Sequence, residues 1–524
     1  MSGGHLRSPL ISHQPKRLRL LYEPLCLLHT LSEVRGDRIK PGDISLEGPG
    51  LTAPRCYRSS VDAIAYICAY QKKPGYVTAA ALEEAPDAIV VLLAANDGID
   101  PAVVTLLEKV LMILSWVIDK PTVRLDTDEG RGVMKILTTH VLDLNTPKIF
   151  EYYQQVKKFV PWMMGKLDTE PGPPRADHDS ILNIRDWFAT YFSKGSMQLQ
   201  ENDMPSLALS SYRDREVFNA LHHTTGSLEQ SRNFESLHKL LYKLGKHVAQ
   251  CKRLIQATIR LRSELSRGLR IETIGGSRED RIAPFARTCN IQDISHRMFS
   301  DAAKRDIFLQ QLQQVYSEKE LDRVLSKDIC KGKTRVHAEL LVLDHFEQTG
   351  GRFLNKRDKY IGCSKPACYL CHLFMSCHPG GYASPPSHQK LYLKWRLPDV
   401  RTDEQNAATR FQHQEDVLFR MIDTVRRDLT NDIVTNVGKR MGFADSTAGG
   451  TSTIIDIETN LGPSVATLSL DELRKTLDLQ YGPGQGSRKP HMDPSFNPRG
   501  VPYFPSEISA EAESDDSDTG GVEI

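Results

Sequence analysis

The sequence predicts an α+α/β protein: a large helical N-terminal region, an α/β domain behind it and a disordered C-terminal tail. Three observations carry that expectation. Apolar residues recur at helical spacing through residues 60–270, most regularly where Leu237, Leu241, Leu244, Val248, Cys251 and Ile255 fall at alternating intervals of four and three. From 338 to 397 helical and strand periods alternate, the pattern of a parallel crossover. Beyond Gly438 the chain turns to Gly, Ser, Thr, Pro and Asp and ends near the acidic cluster Glu513-Ser514-Asp515-Asp516-Ser517-Asp518, a composition that cannot bury a core.

The elements follow in order. Residues 1–59 read as irregular, with Pro41, Gly42, Gly48, Pro49, Gly50 and Pro54 as breakers. Pro15-Lys16-Arg17-Leu18-Arg19 reads as a solvated basic tail or a nuclear-import patch. Residues 60–165 read as an all-helical domain. Ser60-Val61-Asp62 opens it, Ala79–Ala95 is Ala-rich and aliphatic, and Asp100-Pro101 pairs an N-cap with a first-turn proline. Asn145-Thr146-Pro147 repeats that device, and Val160-Pro161-Trp162 breaks the pattern. Residues 166–180 are a Pro/Gly linker. Residues 181–289 are helical again, with one long amphipathic helix over 227–267 whose far end is basic (Lys252, Arg253, Arg260, Arg262, Arg267, Arg270). That end suits a solvated face, a protein partner or a phosphate contact. Residues 290–437 form the α/β domain. Ser300–Tyr316 and Glu318–Val324 are helical, and a helix from 338 stops at Gly350-Gly351. Lys359–Cys363 reads as a short strand, a second helix ends at Gly380-Gly381, and Leu391, Leu393, Trp395 and Leu397 alternate as a half-buried strand. Residues 403–436 make a closing helix, and 438–524 are the disordered tail.

Composition sets limits. Lys and Arg number 67 against 66 Asp and Glu, so the whole chain is no basic nucleic-acid binder. Ten cysteines at irregular spacing do not form a disulfide framework, which places the expected compartment inside the cell, cytoplasmic or nuclear. No secretory signal is recognisable. The longest apolar run, Val110–Ile118, is bracketed by Glu108, Lys109 and Asp119, so no membrane span is expected.

The chemistry concentrates in Val336-His337-Ala338-Glu339-Leu340 and Ser364-Lys365-Pro366-Ala367-Cys368-Tyr369-Leu370-Cys371. A catalytic zinc takes three protein ligands and keeps one open position, and His337, Cys368 and Cys371 supply such a set. Ser364 as N-cap and Pro366 in the first turn would put both cysteines at a helix start, where the dipole favours thiolate. His337 and Glu339 lie two apart, so they converge only over the N-terminal end of their helix.

This arrangement resembles the zinc-dependent cytidine deaminase-like superfamily, whose signature is H-x-E followed by P-C-x-x-C with the Glu as acid/base and not a ligand. It looks closest to the deaminases of polymorphic toxin systems and their fungal relatives, over roughly residues 290–400. Ala367 departs from the pattern by separating Pro366 from Cys368. The resemblance implies a three-layer α/β/α domain and a strand hairpin ahead of the His helix, for which Arg281–Ile291 and Thr334–Val336 are the candidate segments. It implies zinc on His337, Cys368 and Cys371, Glu339 as the catalytic proton carrier, Cys363 and Cys377 as small buried hydrophobes, and hydrolytic deamination of a base in a nucleotide or single-stranded nucleic acid. Which residues hold the substrate is not readable. Lys327, Lys331, Lys333, Arg335, Lys356, Arg357, Lys359 and Lys365 flank the motif and suit a phosphate or plain solvent. Three other readings stay open: an inactive zinc-stabilised scaffold whose helical half binds a protein partner, a structural site of Cys363, Cys368, Cys371 and Cys377, and a redox pair at Cys368 and Cys371.

Overall fold

A computed structural model describes residues 8–31, 34–40, 53–169, 178–192, 199–219, 228–276, 281–282, 290–313 and 333–435. The tail, Glu318–Val324, Lys327, Lys331 and most of the 166–180 linker lie outside the described residues. The described chain is mostly helical around a small mixed sheet.

Helix α1 (Pro15–Leu31) corrects the irregular reading of the N-terminus. Pro24 sits inside it and masks the periodicity, yet Leu21, Leu25 and Leu28 are fully buried along one face. Arg17, from the basic cluster, pairs with Glu415. Helix α2 (Ala53–Cys68) begins earlier than Ser60.

The stretch Ala79–Ala95 is not helical. It is an antiparallel hairpin of β1 (Thr78–Glu84) and β2 (Ile89–Ala95), with Thr78 opposite Ala95 and Glu84 opposite Ile89. Every residue of β2 is buried, the mark of a strand covered on both faces. Alternate residues go to different cores. Ala80, Leu82, Ile89, Val91 and Leu93 join one hydrophobic cluster, and Ala79, Ala81, Val90, Leu92 and Ala94 join another.

A long helical excursion follows β2: α3 (Pro101–Asp119), α4 (Asp128–Thr169), α5 (His178–Phe192), α6 (Met204–Arg213), α7 (Arg215–Asn219), α8 (Leu228–Leu244), α9 (Lys246–Arg260) and α10 (Arg262–Leu265). It returns as β3 (Leu269–Ile274), which lies parallel beside β2. Asp100 caps α3 as expected, its carboxylate accepting from Ala102 N at 2.9 Å. By length and composition α3 is apolar enough to cross a membrane, which the run count missed, but Val103, Leu107, Val110 and Leu114 are buried in the first core. Helix α4 runs straight through Pro147 and Pro161. Asn145 is not a cap there. It is buried, and its amide donates to the Ile67 and Val141 carbonyls, cross-linking α4 to α2.

The single helix expected over 227–267 is broken at Gly245. A Cβ there would lie 2.7 Å from Tyr212 N, so the close approach of α6 demands glycine and interrupts the helix. Two residues of the basic end are engaged within the fold. Arg262 donates to the Val117 carbonyl of α3 and to the Lys120, Pro121 and Val123 carbonyls beyond it, and Arg267 pairs with Glu84.

The second core gathers α1, α11 (Ile291–Met298), α12 (Ala302–Gln313), α13 (Ala338–Thr349), α14 (Tyr369–Cys377) and α15 (Ala407–Thr435). β4 (Arg281–Ile282) pairs antiparallel with β5 (Lys333–Thr334), so both candidate segments carry strand residues. The longer hairpin among the described residues is β1–β2, far earlier in the chain. β6 (Gly362–Cys363) completes the sheet in the order β3-β2-β1-β6, antiparallel to β1. Residues 391–397 are not a strand: Trp395 makes one bridge to Arg335, and a turn closes from Tyr392 to Trp395. Buried Leu391, Trp395 and Leu397 gave the strand signal, and a bridged loop satisfies it equally.

Candidate active site

The open end of the β1–β2 hairpin positions both halves of the motif. Asn96, just past β2, accepts from Ala338 N at 2.8 Å and donates to the Pro74 carbonyl at 2.8 Å. It thereby satisfies the first free N–H of α13, while the N-cap residue, His337, turns its ring elsewhere. On the neighbouring strand, Thr78 N donates to the Ser364 hydroxyl at 3.0 Å, and Ser364 N donates to the Thr78 carbonyl at 2.8 Å. Ser364 therefore does not cap α14. Cys368 is the N-cap, its Sγ accepting from Cys371 N at 3.4 Å. Ala367, the residue that departs from the family pattern, is absorbed by a bridge to Ser387, whose hydroxyl donates to the Ala367 carbonyl at 2.8 Å.

The result brings His337, Cys368 and Cys371 together. His337 Nδ1 lies 3.5 Å from Cys368 Sγ and 3.3 Å from Cys371 Sγ. Burial opposes charge on Cys368, but hydrogen bonds from Cys371 and the field of His337 hold its thiol well below the ordinary range. Cys371 is pushed well above by burial and by Cys368. Burial alone would lower His337; Cys368 raises it. Metal binding to such a set would release protons.

Glu339, in the first turn of α13, is 3 % exposed. Burial pushes its carboxyl above the usual range, with His337 opposing. A Cys363 thiol hydrogen bond reaches it, so Cys363 is more than a small hydrophobe. Its Oε2 has no hydrogen-bond partner among the described residues. A buried, unmet carboxylate oxygen is costly, and its place beside one imidazole and two thiols fits a metal with an open position.

The four-cysteine site is not assembled. Among the described residues, the groups able to hold a metal are His337, Cys368 and Cys371, and Glu347, His378 and His413. In the second group the donors are already engaged. Tyr382 and His413 each reach a Glu347 oxygen at 2.7 Å, and His378 Nδ1 accepts from Gly380 N. It reads as a clamp between the ends of α13, α14 and α15. Of the flanking cations, Arg335 pairs with Asp97, Lys356 with Glu84, and Lys359 donates to the Gly380 carbonyl.

Sequence reasoning missed Asn96, more than two hundred positions from the atom it serves, and Tyr392, whose partly exposed ring meets the His337 ring edge-on at 6.0 Å. Asn96→Ala leaves Ala338 N buried without its acceptor, so chemical denaturation should show a loss of about 1–3 kcal/mol.

Residues 336–399 match the model of a family described as OTT_1508_deam:-like deaminase. That stretch contains His337, Glu339, Cys368 and Cys371, and over it the chain is similar to a deaminase. Neither a curated protein nor a solved structure matches the chain.

Proposed function

We propose that the protein is a zinc-dependent hydrolytic deaminase acting on a nucleobase, akin to the deaminases of toxin systems and their fungal relatives. The observation that carries this reading is the buried Glu339 carboxylate, with one oxygen unmet, beside the His337, Cys368 and Cys371 trio. A structural zinc site has no use for that carboxylate.

Zinc held by His337, Cys368 and Cys371 would lower the pKa of a water to about 7. Glu339 Oε2 would take one proton from that water and give it to the ring nitrogen, then take the second and give it to the departing amine, which leaves as ammonia while the ring carbon keeps the oxygen. Asn96 and Ser364 hold the two ligand-bearing helix starts at fixed separation, so the carboxylate and the reacting carbon meet without rearrangement. Tyr392, whose ring meets that of His337 edge-on, is the aromatic side chain assigned here to contact with the base. The substrate is a base in a nucleotide or in single-stranded nucleic acid. Ammonia release by zinc-loaded protein, measured over cytosine-, adenine- and guanine-bearing nucleosides, nucleotides and oligonucleotides, tests it. Release from one base that disappears in Glu339→Gln supports the reading; none from any, with zinc bound, rejects it.

A further inference from the structure

The loop that carries Trp395 joins the two halves of the candidate metal centre. Arg335, two residues ahead of His337, donates its backbone N–H to the Lys394 carbonyl at 2.7 Å, and its carbonyl accepts from Arg396 N at 3.0 Å. Trp395 is thereby clamped beside the segment that leads into His337. Its own N–H donates to the Tyr392 carbonyl at 3.2 Å, and its carbonyl accepts from the Tyr22 hydroxyl of α1 at 2.7 Å. The backbone at this position is held by its own loop, by α1 and by the approach to His337.

The indole lies in the second core, its ring centre 6.3 Å from that of Phe374 on α14. Trp395 is 0 % exposed. A buried indole N–H normally finds an acceptor. Here Nε1 meets no acceptor at ordinary geometry among the described residues, and a looser hydrogen bond runs to the Cys371 thiol, one helical turn before Phe374. A donor so placed favours sulfur in its ionised form.

The two sulfurs are served by different donors. Cys368 Sγ accepts from Cys371 N at 3.4 Å. His337 Nδ1 also lies 3.5 Å from Cys368 Sγ and 3.3 Å from Cys371 Sγ. An imidazole ligates a metal through an unprotonated nitrogen, and that nitrogen has no proton left to give a sulfur. Cys371 then needs another donor, and the indole N–H is in reach of it.

Taking zinc on His337, Cys368 and Cys371 from the deaminase reading, we propose that Trp395 is the positioning residue for Cys371: with metal bound, its Nε1–H donates to the Cys371 thiolate as Cys371 N donates to that of Cys368. The bond does two things. It fixes the direction of the thiolate lone pairs, so Cys371 meets the ion at the separation from His337 that the Arg335 clamp sets. It also withdraws electron density from the sulfur, so the thiolate quenches less of the ion's charge and the ion stays a stronger acid toward water. Through Tyr22, helix α1 becomes a support of the metal centre.

The test loads full-length protein with cobalt(II), whose thiolate charge-transfer absorption reports electron density on sulfur. Two changes remove the donor. Trp395→Phe removes it with part of the ring, and 3-benzothienylalanine incorporated in place of Trp395 exchanges the N–H for a sulfur atom at nearly the same shape. Both are expected to move the band to lower energy, because an unbonded thiolate gives up its electron more easily, and to weaken cobalt binding about 10–100-fold. Trp187→Phe, at a buried indole that donates to Ser210 within the helical excursion, is expected to leave band and affinity unchanged. A band at the wild-type energy in the benzothienylalanine protein with cobalt bound overturns the proposal, whether or not Trp395→Phe folds. Wild-type protein that binds no cobalt, or binds it without a thiolate band, overturns the zinc reading and the proposal with it.

Discussion

Glu339→Ala should lose at least about 10²–10⁴-fold in deamination rate while binding zinc as wild type does. The expectation follows from geometry. The carboxylate is buried at the start of α13, with one oxygen unmet, and it is not part of the ligand group. Removing it takes away the proton carrier and leaves the ligands. The Ala variant also frees space in a buried site, so Glu339→Gln serves beside it: nearly the same shape, still held by its neighbours, and unable to accept a proton. Both variants should show the same loss in kcat and little change in zinc content. A variant that kept full turnover would assign the proton transfer elsewhere.

Arg410→Ala should cost about 3–5 kcal/mol of folding stability, read by urea denaturation. Arg410 is 2 % exposed. Its guanidinium reaches both Asp344 oxygens at 2.7 Å, Glu404 at 2.8 Å and the Asp399 carbonyl at 3.3 Å. Asp344 belongs to the helix that carries Glu339, so this fork locks α15 onto α13. Burial already pushes the Asp344 carboxyl up to about 6, against the pull of Arg410, and without the arginine the aspartate has lost its charge partner. Arg410→Lys should recover only part of the loss, because an ammonium cannot span both carboxylates. Arg410→Met combined with Asp344→Leu should be milder than Arg410→Ala alone, since no charge is left buried.

The candidate trio was legible because its parts are short and local: H-x-E and C-x-x-C each open a helix, and His337, Cys368 and Cys371 come together over those starts. The supports were not. Asn96 and Thr78 act on the motif from a hairpin read as helix, because Ala79–Ala81 carry little strand propensity and the all-apolar Ile89–Ala95 has no period to read. The longer hairpin, β1–β2, is hidden by distance: the helical excursion and β3 separate it from α13, whereas the segments offered by the sequence form only the short β4–β5 pair. Prolines misled in the opposite direction. Pro147 suggested a helix start and Pro161 a break, and each lies inside a continuous helix. Ser364 was sound as a cap by type and wrong by role, since its hydroxyl serves Thr78.

The most direct measurement is zinc content by elemental analysis of protein purified without chelator, with His337→Ala and Cys368→Ala beside wild type. The account predicts about one zinc per chain in the wild type, lost in both variants. Zinc retained in His337→Ala and lost in Cys368→Ala, or absent from the wild type, would contradict it.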